Sequence, residues 1–232
     1  MYKFLYDAGK EFYVTPDTIN FTPYTFDRYN GIWEKESIEY FFNRVELSNI
    51  SQPSIIDIGA QSGLYSLYAK FLPNSVFYSY EPLPLTYNLL KDNIELNSIT
   101  NVNMFNYAIG KVNEMKVLHV PDHLGLNTFG DTPLRFDKWK DVNVQIKPLD
   151  DLFLNTPVHF IKCDTEGWEY NVIQGAQNVL KKWKPELFIE VNDINLKQCG
   201  TQKGELLSLI YSLNYKLVNI IDTENYHFIS SI

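Results

Sequence analysis

The residues from Asp57 to Gly63 place one acid and two glycines at a strand-to-helix junction, a pattern that suits a nucleoside pocket. An apolar run precedes them, and apolar residues at helical spacing follow from Leu64. Glycine lets a backbone turn sharply and approach a ligand without a Cβ in the way. The turn also follows the carboxyl end of its strand, where open α/β sheets bind their ligands.

Asp57 limits which ligand fits this turn. It occupies the place of the first glycine in the dinucleotide fingerprint G-x-G-x-x-G, and its carboxylate would repel a pyrophosphate. A carboxylate here suits a ligand with an ammonium group or hydroxyl groups and no phosphate, and S-adenosylmethionine is such a ligand. Ser62 stands one place late for a G-x-S-x-G nucleophile elbow, which removes the obvious hydrolase interpretation.

A second acid, Glu81, ends the next predicted strand and is followed by Pro82. An acid at the end of the second strand can accept hydrogen bonds from ribose hydroxyls in folds of this kind. The interval from Asp57 to Glu81 leaves room for one helix and one strand. The two motifs together predict a nucleoside site across two neighbouring strand ends, with a solvated loop carboxylate as the alternative for Glu81.

Three further acids are candidates for the chemical step. Asp164 ends one predicted strand, Glu166 follows it, and Glu190 lies in another apolar strand. A carboxylate within hydrogen-bond reach of a hydroxyl group can act as its general base. Helix capping by Asp164 or Thr165 is the alternative for the first two. For Glu190 the alternatives are a buried structural ion pair with Lys162, or a pair of the same residues that positions an acceptor.

Two groupings raise the question of a metal ion. The same acids, with Asn192 and Asp193, supply the oxygen ligands that Mg²⁺ prefers, but spacing alone does not indicate a site and we expect no metal. His119 and His123 have the spacing of a zinc pair, yet Pro121 between them disfavours the helix that such a pair needs.

The elements that must position these residues alternate between strand and helix. Helical spacing of apolar residues predicts helices near residues 38–45, 64–71, 87–94, 172–183 and 206–213. Strands are predicted near residues 54–56, 75–80, 101–107, 115–120, 158–164, 186–191, 216–221 and 226–229. This alternation predicts a Rossmann-like α/β fold with a mostly parallel, seven-stranded sheet and helices on both faces.

The length of 232 residues fits a single domain over residues 1–232. We expect an N-terminal extension over 1–50, with a small hairpin or lid before Tyr29, and a core over 51–232. Residues 121–142 lack periodicity and are the candidate substrate loop.

The composition limits the classes of molecule that the protein is expected to bind and the compartment in which it is expected to act. A net charge of −8 without a cluster of Lys or Arg argues against nucleic acid. No apolar run of the sequence is long enough to span a membrane. The two cysteines form no C-x-x-C pair, which favours free thiols in a reducing, cytoplasmic compartment.

The order of motifs resembles the class I methyltransferases of the FkbM type. The matching motifs are I-D-I-G-A-x-x-G at 56–63, Y-E-P at 80–82, A-I-G at 108–110 and I-K-x-D-x-E-G-x-E at 161–169. Gly175-Ala176 and I-E-V at 189–191 also fit, so the resemblance covers about residues 31–191. Gln61 and Thr165 depart from the residues that are common in the family.

The resemblance implies O-methylation that depends on S-adenosylmethionine, often of a sugar or polyketide hydroxyl. The implied cofactor contacts are Asp57, Gly59, Ala60, Gln61 and Gly63 around the methionine part, Glu81 and Pro82 at the ribose, Ala108 at the adenine, and Asp164. It also implies that Asp164 and Glu166 sit where cofactor and acceptor meet. The expected acceptor is a glycan or another small polyhydroxylated molecule. The alternatives are an RNA ribose, an amine, or a non-catalytic nucleoside-binding relative.

Overall fold

The computed structural model describes residues 2–7, 10–15, 34–122, 126–130 and 138–231. Strands β1 (Tyr2–Asp7) and β2 (Lys10–Val14) pair antiparallel, as the predicted N-terminal hairpin requires. The rest of the predicted lid, from residue 16 to residue 29, lies outside the described residues. So do residues 123–125 and 131–137 of the predicted substrate loop.

In the described part of the chain, ten further strands follow the hairpin. In chain order they are β3 (Ser54–Ile58), β4 (Val76–Tyr80), β5 (Val102–Phe105), β6 (Ala108–Ile109), β7 (Glu114–Pro121), β8 (Trp139–Lys147), β9 (Phe160–Cys163), β10 (Glu186–Glu190), β11 (Tyr215–Ile220) and β12 (Asn225–Ser230). Seven of them form the central sheet in the order β11-β12-β10-β9-β3-β4-β5. All neighbours from β10 to β5 pair parallel, whereas β12 runs antiparallel to both β10 and β11. The predicted mostly parallel, seven-stranded sheet is confirmed.

The middle of the sheet is buried on both faces. Every residue of β3 and of β9 is buried, as continuous apolar strands of parallel sheets usually are. Successive residues of β3 point to opposite faces, so Ile55 packs in one hydrophobic cluster and Ile56 and Ile58 in the other. Asp57 has the parity of Ile55 and therefore faces the same side as that residue.

Helices cover both faces of the sheet. They are α1 (Lys35–Leu47), a 3-10 helix (Ser66–Phe71), α2 (Pro84–Leu96), α3 (Leu149–Phe153), α4 (Glu169–Gln174), α5 (Gln177–Trp183), α6 (Asp193–Gln198) and α7 (Lys203–Ser212). In the described part of the chain no helix combines the length and the hydropathy that crossing a bilayer requires.

The amphipathic helix predicted before β3 is present as α1. Its apolar stripe, which includes Phe41 and Phe42, is buried. Phe42 stacks on Tyr68 of the 3-10 helix with ring centroids 3.8 Å apart. These contacts fix the 3-10 helix, and with it the turn after β3, against the sheet.

Several elements differ from the predicted ones. The helix expected over 172–183 is divided into α4 and α5, because the chain leaves helical geometry at Gly175 and Ala176. A Cβ at Gly175 would overlap the carbonyl oxygen of Gly110, so the close approach of these two segments requires glycine. Helix α6 was not predicted, although Asn192 caps it by accepting hydrogen bonds from Ile194 N and Asn195 N.

The predicted loop over 121–142 is partly sheet. Strand β8 begins at Trp139 and pairs antiparallel with β7 and parallel with β6, which forms a three-stranded sheet beside the central one. The exposed first residues of β8 alternate too weakly in polarity to mark a strand. The small sheet brings β6 and β7 to the side of the main strand ends.

Candidate functional site

A cavity of about 550 Å³ opens at the carboxyl ends of β3, β4, β9 and β10. The carboxyl ends of parallel strands share one edge of a sheet, so residues that are distant in sequence meet there. The predicted site residues that line the cavity are Gly59, Ala60, Gln61, Glu81, Pro82, Ala108, Asp164, Glu166 and Glu190. Asp57 and Gly63 do not line it.

The turn after β3 forms one wall of the cavity. The backbone N–H groups of Gly59 and Ala60 both donate to the carbonyl oxygen of Tyr80 at 3.0 Å, which ties this turn to the end of β4. Gly59 has a φ of 78°, and a Cβ there would overlap the carbonyl oxygen of Asp164. Glycine is therefore required for the ends of β3 and β9 to approach each other, which brings Asp164 beside the turn.

Glu81 is held in the cavity wall. It is 5% exposed, and its Oε2 accepts a hydrogen bond from Gln61 N at 2.9 Å. Its Oε1 accepts from Leu83 N at 2.9 Å and from Thr86 Oγ1 at 2.6 Å. Burial raises the pKa of this carboxyl, and the three hydrogen bonds oppose the shift. Glu81 is therefore not a solvated loop carboxylate, and Oε2, with one partner, can accept a further hydrogen bond.

Asp57 lies beneath the cavity, which differs from the predicted direct contact with a ligand. It is 1% exposed, and its Oδ2 accepts a hydrogen bond from Ser66 Oγ at 2.7 Å. The parity of β3 directs this side chain toward the face covered by the 3-10 helix. Burial raises the pKa of Asp57, while the charge of Lys162 and the bond from Ser66 lower it. Asp57 therefore contacts Lys162, which lines the cavity, but does not line the cavity itself.

Gly63 also lies outside the cavity wall. Its φ is 93°, and a Cβ there would lie 2.5 Å from Leu90 Cδ1 of α2. The glycine at this position is explained by its left-handed backbone and by the packing of α2, rather than by the predicted approach to a ligand.

Lys162 reaches the cavity from β9 and is 7% exposed. Its Nζ lies 3.3 Å from Asp164 Oδ2, 3.9 Å from Asp57 Oδ1 and 3.5 Å from the carbonyl oxygen of Gly59. It also lies 4.8 Å from the ring centroid of Tyr65. Burial lowers the pKa of Lys162, but the neighbouring carboxylates outweigh it, so the pKa is raised. The lysine is a charged ammonium group.

The structure contradicts the predicted ion pair between Lys162 and Glu190. On β10 the residue opposite Lys162 is Phe188, so Glu190 stands two residues further along. On β3 the residue opposite Lys162 is Asp57. The register of the sheet therefore pairs this lysine with the acids of β3 and of its own strand end.

Asp164 and Glu166 follow β9 and line the cavity. Glu166 has a φ of 55°, and its Oε2 accepts a hydrogen bond from Asn195 Nδ2 at 2.7 Å. Helix α6, which carries Asn195, therefore holds Glu166 in place.

Helix capping by Asp164 or Thr165 is not observed, because α4 begins later, at Glu169. Glu169 Oε1 instead accepts hydrogen bonds from Thr165 N, from Thr165 Oγ1 and from Gly167 N at 2.8, 2.8 and 3.2 Å. Glu169 is fully buried, and burial raises its pKa to about 7. This glutamate organises the turn and leaves Asp164 free of a capping role.

Glu190 ends β10 with its carboxyl group at the cavity. Its Oε2 is buried and has no hydrogen-bond partner within the described part of the chain. Burial raises the pKa of Glu190 well above its usual range, and the charges of Asp164, Glu166 and Glu169 raise it further. A buried polar atom without a hydrogen-bond partner destabilises the fold unless a ligand forms a hydrogen bond with it.

Some polar residues of the cavity were not predicted as site residues. Asn192 was considered only as a metal ligand, and its Nδ2 donates to Glu224 Oε1 at 2.8 Å. An N-cap residue ahead of an apolar pattern was the signal for it. Glu224, from the turn between β11 and β12, and Glu34, just before α1, have no local signal. Only the packing of distant segments brings them to the cavity.

The remaining wall is apolar. Leu118, Leu126, Phe129 and Trp168 line it, with the Phe129 and Trp168 ring centroids 4.9 Å apart. The indole Nε1 of Trp168 is buried without a hydrogen-bond partner among the residues that the structure describes. These side chains give this side of the cavity an apolar lining.

Within the described ranges, no group of three or more His, Cys, Asp or Glu side chains is arranged to hold a metal ion. His119 of the suggested zinc pair contacts Asp141 instead, with Nδ1 2.7 Å from Oδ1. His123 lies outside the described residues.

Comparison with known proteins places these motifs in a family. The family model of the methyltransferase FkbM domain matches residues 57–217. Among curated proteins, Methyltransferase 1 of Beauveria bassiana is 25% identical over 145 residues, which cover 53% of this chain and 58% of that protein. Methyltransferase sdnD of Sordaria araneosa is 24% identical over 182 residues, which cover 60% of this chain and 70% of that protein.

Solved structures share the fold. The FkbM methyltransferase of Methylobacillus flagellatus KT matches with a TM-score of 0.53 and 17% identity, covering 83% of this chain and 50% of that one. The ribosomal protein L11 methylase of Lactobacillus delbrueckii subsp. bulgaricus matches with a TM-score of 0.52 and 9% identity, covering 86% and 80%. The chain thus spans about half the length of the first of these structures. The family model covers well over half of the chain, including most of the motifs that form the cavity, and the chain belongs to the methyltransferase FkbM domain family.

Proposed function

We propose that the chain transfers a methyl group from S-adenosylmethionine to a hydroxyl group of a sugar, a glycan or a similar small polyhydroxylated acceptor. The observation that carries this proposal is one cavity whose lining combines a nucleoside-type wall with a partly buried carboxyl group. Gly59 and Glu81 belong to the wall, and Glu190 supplies the carboxyl group. Membership of the family supports methyl transfer, and the cavity supports the assignment of roles below.

The residues present fit the cofactor. A cavity of about 550 Å³ is of the size that binds small molecules. Glu81 Oε2 has acceptor capacity for a ribose hydroxyl, while Pro82 and Ala108 offer apolar surface for a base. The carboxyl group of Glu190, one oxygen of which has no hydrogen-bond partner among the described residues, supports a ligand that completes the site. When bound, S-adenosylmethionine supplies a methyl group that is already activated by its sulfonium.

The turn after β3 and the end of β9 receive the amino-acid part of the cofactor. Gly59, Ala60 and Gln61 present backbone on one side, and Asp164 presents a carboxylate on the other. Asp57 supports this arrangement from below through its contacts with Ser66 and Lys162. We therefore assign Asp57 an indirect role in cofactor binding.

Glu190 is the general base of the proposed reaction. A sugar hydroxyl is a weak nucleophile, so its proton must leave as the new bond forms, and the Glu190 carboxylate accepts that proton. The raised pKa makes the ionised carboxylate a stronger base than an ordinary glutamate. Glu166, which is held by Asn195, orients the acceptor, and Asp164 lies where the cofactor and the acceptor meet.

Alignment supplies the rest of the rate enhancement. An in-line displacement needs the acceptor oxygen, the methyl group and the leaving sulfur on one line. Carboxylates and amides at the acceptor end, from Glu166, Asn192, Asn195 and Glu224, match the hydrogen bonds of a polyhydroxylated molecule. The apolar wall around Trp168 limits competing water.

The charge of the chain supports the expected kind of acceptor, and its cysteines support the expected cellular compartment. A net charge of −8 and an acidic cavity disfavour an acceptor with a phosphate backbone. Both cysteines are free, which is usual in a reducing compartment, and we expect the protein to act in the cytoplasm.

A methyl-transfer assay tests this function. Purified protein is incubated with tritiated S-adenosylmethionine and, in separate reactions, neutral oligosaccharides, polyols, primary amines or RNA. We expect label in the oligosaccharide or polyol fraction. Label confined to amines or RNA would overturn the hydroxyl acceptor, and failure to bind S-adenosylhomocysteine in calorimetry would overturn the cofactor.

The base assignment needs a matched pair of variants. Glu190→Gln keeps the size of the side chain and removes its basicity, so turnover should fall by about 10²–10⁴-fold. Asp193→Asn removes an acid that is close in sequence but exposed, with Lys197 as its partner, and should leave turnover near wild type. Equal effects of the two changes would reject Glu190 as the base.

A further inference from the structure

Among the described residues that line the cavity, Lys162 is the only one with a cationic side chain. The acids of the same wall are Glu34, Glu81, Asp164, Glu166, Glu190 and Glu224. An ammonium group in such surroundings neutralises carboxylates, but its place in the cavity also makes it available to an anionic group of a ligand.

The contacts that Lys162 Nζ makes with oxygen atoms of the protein are long. Its closest oxygen atoms, on Asp164, Gly59 and Asp57, lie at 3.3, 3.5 and 3.9 Å. Strong N–H···O hydrogen bonds measure about 2.7–3.2 Å, so all three contacts are long. An ammonium group has three N–H donors. A ligand oxygen that approached within normal range would therefore gain a strong, charge-assisted bond.

The position of Lys162 along the wall matches one end of the proposed cofactor. Glu81, at the proposed ribose position, accepts from Gln61 N, and Gly59 lies two residues before Gln61 in the same turn. The carbonyl oxygen of Gly59 contacts Lys162. A molecule that extends along this turn from Glu81 thus ends beside Lys162 and its neighbour Asp164.

We propose that Lys162 binds the carboxylate of the methionine moiety of the cofactor, while Asp164 binds the adjacent ammonium group. This inference rests on the proposed function, since it requires S-adenosylmethionine in the cavity. The amino-acid end carries one negative and one positive group, and the wall offers one ammonium and one carboxylate 3.3 Å apart. Tyr65, whose ring lies 4.8 Å from Nζ, limits the directions that the ammonium group can take.

The proposal gives Lys162 a specificity role. A nucleoside thioether without the carboxylate keeps its contacts with Glu81 and with the turn, but loses the partner of Lys162. Because Lys162 is 7% exposed, water screens this interaction weakly. The chain should therefore discriminate strongly in favour of the intact amino-acid end.

The wild-type protein provides the first test. Calorimetry compares S-adenosylhomocysteine with its decarboxylated analogue, which keeps the ammonium group and lacks only the carboxylate. We expect the analogue to bind about 10- to 100-fold more weakly, as for the loss of one hydrogen bond to a charged group. Equal affinities would overturn the role of Lys162. If neither ligand binds, the proposed cofactor fails, and this inference fails with it.

Variants test whether Lys162 causes the difference in affinity between the two ligands. Lys162→Met should weaken S-adenosylhomocysteine by about 10-fold or more and change the affinity of the decarboxylated analogue by less than about 3-fold. Lys162→Arg should keep part of the preference for S-adenosylhomocysteine over the decarboxylated analogue. Lys197→Met is the matched control, because it breaks a lysine–carboxylate pair on the exposed side of α6.

An equal loss for both ligands in Lys162→Met would show that the lysine only stabilises the site. Should Lys162→Met fail to fold, the comparison of the two ligands on wild-type protein and on Lys162→Arg decides the question. An unchanged preference in folded Lys162→Met would also reject the proposal.

Discussion

Replacing Glu81 with Gln changes one carboxylate oxygen to an amide nitrogen and leaves the volume of the side chain almost unchanged. The structure shows why Gln is a sharper probe than Ala. Glu81 accepts hydrogen bonds from Gln61 N, Leu83 N and Thr86 Oγ1, so truncation would leave three donors unpaired. With Gln, the carbonyl oxygen keeps the two bonds made by Oε1, and the amide faces Gln61 N.

The expected magnitude follows from these contacts. A hydrogen bond from a ribose hydroxyl to a carboxylate is worth about 1.5–3 kcal/mol, so the loss of one such bond weakens binding by about 10- to 100-fold. The unpaired N–H of Gln61 adds a cost of about 1–3 kcal/mol to the folded state, with or without cofactor. Glu81→Gln should therefore lower both cofactor affinity and thermal stability.

Thr86→Val separates the two effects. Thr86 is 1% exposed and donates to Glu81 Oε1 at 2.6 Å, on the side away from Gln61. The substitution removes this donor and keeps the shape, so it should cost about 1.5–3 kcal/mol of stability and change cofactor affinity by less than about 3-fold.

Calorimetric titration of S-adenosylhomocysteine into wild type and both variants, with melting curves for each, measures these quantities. The reasoning is refuted if Glu81→Gln binds as tightly as wild type. It is also refuted if Thr86→Val, at equal loss of melting temperature, loses as much affinity as Glu81→Gln.

Three further changes have definite outcomes. Gly63→Val should lower the melting temperature, because a Cβ at φ 93° would press on Leu90 of α2, and an unchanged melting temperature would contradict this packing. Glu190→Gln should raise the free energy of unfolding at neutral pH. The raised pKa of Glu190 means that the folded wild type loses stability as pH rises from about 4.5 through that pKa, so the two proteins should converge in acid. Urea unfolding at pH 8 and pH 4 measures the difference, and equal stability at pH 8 would contradict the assignment. Asp164→Asn combined with Glu166→Gln should weaken cofactor binding through Asp164 and lower turnover by about 10²-fold more through misplacement of the acceptor by Glu166. Turnover that falls only in proportion to cofactor affinity would assign both residues to cofactor binding.

Much of the fold could be predicted from local patterns. The junction from Asp57 to Gly63 and the acid Glu81 were recognisable because a strand, a turn and a helix follow one another directly in the chain. The parallel sheet followed from the alternation of apolar strands and amphipathic helices. Element ends were less certain, as the division between α4 and α5 at Gly175 shows. There a contact with Gly110, 65 positions earlier in the chain, decides where the helix stops.

The candidate site was only partly predictable. Its strand-end residues were foreseen because parallel strands end at a common edge. The direction of each side chain depends on strand parity and on the neighbour across the sheet, which single-strand patterns do not contain. Asp57 was therefore expected in the cavity but lies beneath it, against Ser66. Lys162 was expected to pair with Glu190 but contacts Asp57 and Asp164.

The sequence by itself thus determined the family motifs, the sheet and the position of the site at the strand ends, since these depend on residues that are close in the chain. Tertiary structure alone decided the composition of the cavity. Glu34 precedes α1 and Glu224 lies in the turn between β11 and β12, yet both line the same cavity as Glu81. Their positions depend on how α1 and the β11–β12 turn pack against the sheet, and such long-range packing leaves no periodic signal in the segments that it joins.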